Sequence, residues 1–274
     1  MSAGGGYSRP GVAGSGVIAA GLAACATQCG EVTVLARSAT SADRIAEAAR
    51  QQADKLEGGA PERIRVTEDT ADLADCDVVV EAITEDAEAK AGLLADLARA
   101  CPGADLATTT SSLSIADLAQ RSGASERLFG FHVFNPVTRM ELVEVCAPPL
   151  LRSEVRERAL AWCAAMGKTA VVVPDQAGFV VNRLLFPFLF EAVRLMEQTE
   201  MTAEAVDCCM TLGAGHPMGP LKLLDFVGLD VCVAIGESLH ADSGRDSDLV
   251  PALLRELVAE GRLGRKSGAG FYRY

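Results

Sequence analysis

The residues best suited to proton chemistry lie in one short stretch, FHVFNPVTRMELVEV, from Phe131 to Val145. It holds His132, one of only three histidines, and Glu144 follows twelve residues later, after a run that ends in apolar alternation. A lone histidine is more commonly a satisfied core or surface residue. A carboxylate that accepts a hydrogen bond from one ring nitrogen changes this, because it fixes the tautomer and raises the basicity of the other nitrogen, as a general acid/base requires. Whether the two residues meet depends on the elements that carry them.

A second set of residues suits a phosphate-bearing ligand. Gly14-Ser15-Gly16-Val17-Ile18-Ala19 fits GxGxxA between a short apolar run and an Ala-rich helical stretch. Gly14 permits the tight turn, Gly16 lets the backbone approach a pyrophosphate at the helix N-terminus, and Ala19 allows close helix-to-strand packing. Pro10 and Gly11, just before it, make a poor first strand. The predicted second strand ends VTVLARS, with Arg37 and Ser38 where a site for NAD carries an acidic residue for the ribose. A guanidinium binds a 2′-phosphate that a carboxylate would repel, which predicts NADP(H), with NAD the alternative.

The elements that must position these residues alternate between strands and helices. Strands are predicted at 12–13, 32–36, 64–67, 77–83, 106–109, 128–132, 142–146 and 169–173, and helices at 18–28 and 41–56, with a GGAP turn at 58–61. The pattern predicts an α/β fold, a Rossmann-type, mainly parallel sheet covered on both faces. After Pro174 the texture turns helical, with a capped helix from Thr202 to Leu212 stopped by Gly213 and no convincing strand before the terminal GFYRY. The predicted domains are therefore 1–175, a dinucleotide-binding unit, and 176–274, an all-helical unit.

Composition narrows the function classes. With 49% hydrophobic and 23% charged residues the chain can bury a sizeable core. No uninterrupted apolar window is long enough for a membrane span. MSAGGGYSRP reads as a flexible leader without targeting features, which suits a cytoplasmic protein. The 25 basic and 37 acidic residues give a net charge of −12, which disfavours nucleic acid and anionic membranes as partners. The nine cysteines form no CxxC pair and no zinc-ligand cluster, so they read as small buried hydrophobes in a reducing compartment and no metal is expected.

In order, the blocks TTTSSLSI, GFHVFNPV, MELVEV, PDQAGFVVNRLL, GAGHPMGPLKLLDFVGLD and GRLGRKSGAGFY, together with the glycine turn, resemble the 3-hydroxyacyl-CoA dehydrogenase family, in particular its short 3-hydroxybutyryl-CoA dehydrogenase form. The likeness runs from about residue 11 to 274, and the blocks keep their spacing: 21 residues from Ser111 to His132, 12 to Glu144, and 50 from His132 to Asn182. The resemblance implies that His132 exchanges a proton with the substrate oxygen and that Glu144 orients it. It also implies that Ser111 hydrogen-bonds that oxygen, that Asn182 helps hold the acyl group, and that Asn135 contacts the nicotinamide side. Glu81, Asp86 and Lys266 match other cofactor-contacting positions. Reduction of a 3-keto group develops an alkoxide, which these donors would stabilise. The resemblance further implies a homodimer formed through the helical domain, and the apolar run from Leu184 to Met196 is a candidate for burial there or in the core.

Departures from the family pattern bear on the substrate. Thr109 stands for the usual Asn, Glu141 for a usual basic residue, and Asp86 for a common Asn; the segment between the second strand and Asp72 is several residues short. The expected activity is a 3-ketoacyl/3-hydroxyacyl-CoA reductase. The same chemistry on an acyl-carrier-protein thioester is the second reading, and a non-catalytic dinucleotide-binding paralogue the third.

Overall fold

The computed structural model describes residues 6–274, and the chain divides into two compact units, the first ending at Asp175 and the second spanning Gln176–Tyr274. In the first unit the elements run β1 (Pro10–Ala13), α1 (Val17–Ala26), β2 (Val32–Leu35), α2 (Ala39–Asp54), β3 (Ile64–Thr67), β4 (Val78–Glu81), α3 (Ala87–Ala100), β5 (Asp105–Thr108), α4 (Ile115–Arg121), β6 (Leu128–Val133), β7 (Leu142–Cys146), α5 (Ser153–Ala165) and β8 (Thr169–Val173). They form one eight-stranded sheet in the order β3-β2-β1-β4-β5-β6-β7-β8, parallel except where β6 meets β7. The predicted α/β class and mainly parallel sheet are thus observed.

The helices bury small faces. α1 is buried from Ala19 onward, which its alanines and Gly21 permit: a Cβ at Gly21 would lie 2.7 Å from Val137 Cβ. On α2, Ser41, Ile45, Ala49 and Ala53 repeat every four residues and form the one buried stripe, the pattern of a surface helix.

The start of the chain differs from expectation. Residues 1–5 of the flexible-leader reading lie outside the described residues, but Tyr7 is buried. Its hydroxyl donates to Asp105 at 2.6 Å and its ring meets Trp162 edge-on at 5.6 Å. Pro10 and Gly11 are part of β1. Pro10 is tolerated as the first strand residue, and Gly11 fits a crowded spot, since a Cβ there would press on the side-chain ends of Leu73 at 2.9 Å and Cys76 at 3.1 Å.

The second unit comprises α6 (Val181–Thr199), α7 (Ala203–Cys208), α8 (Pro220–Val227), α9 (Leu229–Ser243) and α10 (Ala252–Ala259). Phe186, Leu189 and Phe190 of the apolar α6 run pack with Leu221, Leu224, Leu229, Leu239 and Leu254, whereas Leu184 and Leu195 face outward. Two buried carboxylates tie the C-terminal segment down. Asp207 accepts from Leu221 N, Lys222 N and the Tyr272 hydroxyl, and Asp225 from the backbone of Phe271 and Tyr272. GFYRY makes only isolated bridges through Ala269, not a strand.

The predicted 202–212 helix is also corrected. Thr202 does cap it, but α-helical bonding ends at Cys208 and continues as a π-turn over Cys209–Gly213, and the positive φ falls at Gly215 instead of Gly213. Seven cysteines are buried or half-buried; Cys208 and Cys209 are exposed, contrary to the small-hydrophobe reading. Among the described residues no helix is long and apolar enough to cross a membrane, and no group of three or more His, Cys, Asp or Glu could hold a metal ion.

Candidate active site

One row of paired residues explains where the chemistry gathers. Thr67, Leu35, Ala13, Glu81, Thr108 and Gly130 lie in register across β3, β2, β1, β4, β5 and β6 at the carboxyl ends of these parallel strands. Everything just past that row emerges on one edge: the glycine turn, Arg37, Ile83–Glu85, Ser111 and His132. Strand order reverses between β1 and β4, which makes this edge the place for a ligand in an open α/β sheet.

A cavity of about 880 Å3 occupies that edge, lined among others by Gly14, Gly16, Arg37, Arg44, Glu85 and Ser111. Gly14 and Gly16 serve different purposes. Gly14 has φ +152°, and a Cβ there would lie 2.3 Å from the Ala82 carbonyl oxygen, so the fold demands glycine. At Gly16 a Cβ would meet nothing within 4 Å: the space is open, and the residue caps α1 without a side chain, leaving the first helical N–H groups to a ligand. Ala19 is fully buried 3.4 Å from that forbidden Gly14 Cβ position, as close helix packing requires. The residues therefore fit a dinucleotide pyrophosphate.

His132 and Glu144 are direct partners across the antiparallel β6–β7 pair. Their side chains point the same way, with Nδ1 2.7 Å from Glu144 Oε2, and both are buried. The twelve-residue spacing is thus a strand, a connection and a returning strand, and register alone sets the contact. The connection contains a cis Asn135–Pro136 bond, and Asn135 itself is exposed.

Ser111 lines the cavity in a turn held by a single carboxylate oxygen. Glu85 Oε1 accepts from Thr110 Oγ1 (2.6 Å), the backbone N–H of Ser111 (2.9 Å) and Ser112 (3.1 Å), and the hydroxyls of Ser112 (2.8 Å) and Ser111 (3.4 Å). Burial pushes the Glu85 carboxyl up, but the Lys90 ammonium and the bonds from Thr110, Ser111 and Ser112 outweigh it and hold the group below its usual range.

Lys90 is buried between Glu85, at 3.4 Å, and Glu81, at 2.8 Å; Glu81 in turn accepts from Thr108 at 2.6 Å. Glu81, read from the sequence as a cofactor contact, is therefore sealed beneath the strand ends with no exposed surface. Asp86 caps α3, accepting from Ala89 N at 2.8 Å, and Glu85 beside it is the carboxylate on the cavity. Ser38 likewise caps α2, with its hydroxyl 2.7 Å from that of Ser41. Asn182, on the first turn of α6, and Lys266, paired with Asp230 at 2.7 Å, belong to the second unit.

Sequence reasoning missed Glu85, Lys90 and Arg44. A carboxylate two residues past a strand end and facing a TTTSS row was a usable signal for Glu85. Arg44, on α2 seven residues past Arg37, lines the same cavity.

The comparisons with known proteins agree with this geometry. The family described as 3-hydroxyacyl-CoA dehydrogenase, NAD binding domain, matches residues 10–176, and its C-terminal domain matches residues 178–274. A Deinococcus radiodurans protein named probable 3-hydroxybutyryl-CoA dehydrogenase is 42% identical over 275 residues, 96% of this chain and 99% of that one. Among solved structures, M. tuberculosis FadB2 superposes with a TM-score of 0.93 at 34% identity, covering 98% of this chain and 99% of that one. (S)-3-hydroxybutyryl-CoA dehydrogenase PaaH1 from Ralstonia eutropha gives 0.92 at 31% identity, with the same coverage.

Proposed function

The chain belongs to the 3-hydroxyacyl-CoA dehydrogenase family, and on that premise we propose that it interconverts 3-ketoacyl- and 3-hydroxyacyl-CoA thioesters of the acetoacetyl type, with NADP(H) preferred. The observation that carries the reading is the buried, register-paired His132–Glu144 contact of 2.7 Å. With Nδ1 held by the carboxylate, proton exchange with the substrate oxygen falls to Nε2. Ser111, fixed in its turn through its backbone N–H on Glu85, swings its hydroxyl proton from the long 3.4 Å contact with Glu85 to the same oxygen as charge develops on it. Asn182 is assigned the acyl group, and Asn135 and Lys266 the cofactor, by family resemblance.

When bound, the nicotinamide dinucleotide supplies or accepts the hydride. The first unit holds it, with the pyrophosphate on the open N-terminus of α1 at Gly16. The NADP(H) preference rests on Arg37 and Arg44. Both line the cavity, both are exposed, and neither makes an ion pair or hydrogen bond among the described residues, in a chain with twelve more acidic than basic side chains. Two guanidiniums left unpaired at the ribose end suit a 2′-phosphate. The carboxylates Glu68, beyond β3, and Glu85 line the cavity as well.

The second unit is assigned substrate binding and homodimer formation, the latter through outward apolar residues such as Leu184 on α6. Light scattering on the purified protein checks the dimer, and a monomeric mass removes it. The activity is tested by following reduced cofactor with acetoacetyl-CoA and with the same acyl group on an acyl carrier protein, each with NADPH and NADH. Turnover of acetoacetyl-CoA with NADPH at least tenfold more efficient than with NADH is expected. Faster turnover of the carrier-protein thioester would transfer the substrate assignment, an NADH preference would remove the cofactor assignment, and no turnover with any pair would leave a non-catalytic dinucleotide binder.

A further inference from the structure

The serine turn is gripped at both ends by carboxylates from elsewhere in the chain. Glu85 holds its front, at Thr110–Ser112. At its back, where α4 begins, Asp175 accepts from Ile115 N at 2.9 Å, from Ala116 N at 2.8 Å and from Ser114 Oγ at 3.1 Å. Ser114 itself accepts from Asp117 N at 3.2 Å, so the N–H groups of Ile115, Ala116 and Asp117 are satisfied, the first two by a residue about sixty positions downstream. Asp175 follows Pro174 at the exit of β8 and is the last residue of the first unit. It is thus the residue at which the chain leaves the sheet, and its carboxylate is fastened to the helix that the Ser111 turn runs into.

We infer that Asp175 is a positioning residue for Ser111: by clamping the start of α4 it sets where the serine turn stands relative to the sheet edge. Only Ser112 and Leu113 separate Ser111 from the clamp at Ser114, and Thr110 Oγ1 accepts from Leu113 N at 3.0 Å, so the intervening backbone is already bonded and transmits a shift of the helix end to the hydroxyl. A displacement of about 1 Å at a reacting group is enough to cost one to two orders of magnitude in rate. The assignment rests on the reading of Ser111 as a donor to the substrate oxygen.

The experiment is a double-mutant cycle on the full chain with Asp175→Ala, Asp175→Asn and Ser111→Ala, measuring kcat and KM for both substrates. Asp175→Ala should lower kcat about tenfold while KM for the dinucleotide, which is held at the glycine turn, stays within about twofold. Asp175→Asn, which keeps one acceptor oxygen, should recover part of that loss and covers the case in which the alanine variant does not fold. In the Ser111→Ala background either Asp175 change should lower kcat by less than about twofold, because its effect passes through the missing hydroxyl. Equal losses in both backgrounds, or wild-type kcat in Asp175→Ala and Asp175→Asn, would overturn the inference while leaving Ser111 in place. If Ser111→Ala alone leaves kcat unchanged, the role of Ser111 fails and this inference with it.

Discussion

Two regions of the same sheet edge treat charge in opposite ways. At the β6–β7 end, His132 and Glu144 are buried and bonded to each other before any ligand arrives; under β4, Lys90 and Glu81 are buried and bonded in the same manner. At the β2 end, Arg37 and Arg44 stand exposed and, among the described residues, without ion-pair or hydrogen-bond partners. A buried charge left unpaired costs several kcal/mol, so the first region has to be completed by the fold itself. An exposed guanidinium stays solvated at little cost and can wait for its counter-ion. The end proposed for proton transfer is therefore built in by the fold, and the end proposed to select the cofactor is left open.

The largest effect should come from the built-in end. Replacing His132 with Ala is expected to lower kcat roughly 10²- to 10⁴-fold with dinucleotide binding nearly unchanged, measured by turnover and by fluorescence titration. A comparable loss of dinucleotide binding would erase the contrast between the two ends. Next, Lys90→Met should destabilise the protein by about 3–5 kcal/mol in urea unfolding, since it strands the buried Glu81 carboxylate; a change under about 1 kcal/mol would show that the pair is not isolated from water.

At the open end, the Arg37→Ala/Arg44→Ala double variant should lose about 10- to 100-fold in kcat/KM with NADPH while its unfolding midpoint moves by no more than about 0.5 kcal/mol equivalent. Loss of stability there would mean that these side chains have structural partners after all. A smaller effect concerns pH. The Glu85 carboxyl is lowered in the folded state, so its contribution is in place above the ordinary carboxylate range and disappears only as pH falls through the lower, folded value. Turnover should thus show no loss of the serine turn on the acid side until pH falls below the ordinary carboxylate range, and Glu85→Gln should weaken activity at all pH values instead of shifting the acid limb.

The smallest effect separates the cysteines. Burial pushes the Cys76, Cys146 and Cys163 thiols up to about 12, whereas Cys208 and Cys209 are exposed. Iodoacetamide at neutral pH should label Cys208 and Cys209 first by peptide mass analysis, with activity retained; early labelling of Cys146 would contradict its burial.

Much of this was legible because it depends on short-range pattern. The strands at Ile64–Thr67, Leu142–Cys146 and Thr169–Val173 have the predicted bounds, since each is an apolar run with sharp polar or turn flanks. Parallel order followed from alternation. What remained hidden depends on long-range packing. Tyr7 sits in a stretch of Gly, Ser and Pro that looks unstructured, and only the pocket formed by Asp105 and Trp162, about a hundred and more residues away, draws it in. The family resemblance pointed to Glu81 and Asp86 as cofactor contacts and passed over Glu85 between them. Strand pairing separates the three: Glu81 ends β4 and turns under, Glu85 lies on the cavity, and Asp86 is taken up by the start of α3.

The antiparallel step from β6 to β7 has a consequence for how such a site can diversify. Because His132 and Glu144 meet through strand register, residues can be added to or removed from the 134–141 connection without parting them. One residue inserted within either strand would turn one of the two side chains to the opposite face of the sheet. Length variation among related chains should accordingly concentrate in that connection and be absent from Leu128–Val133 and Leu142–Cys146. The register-paired His132 and Glu144 thus set where insertions are tolerated, a constraint that acts on length even where residue identity is free to drift.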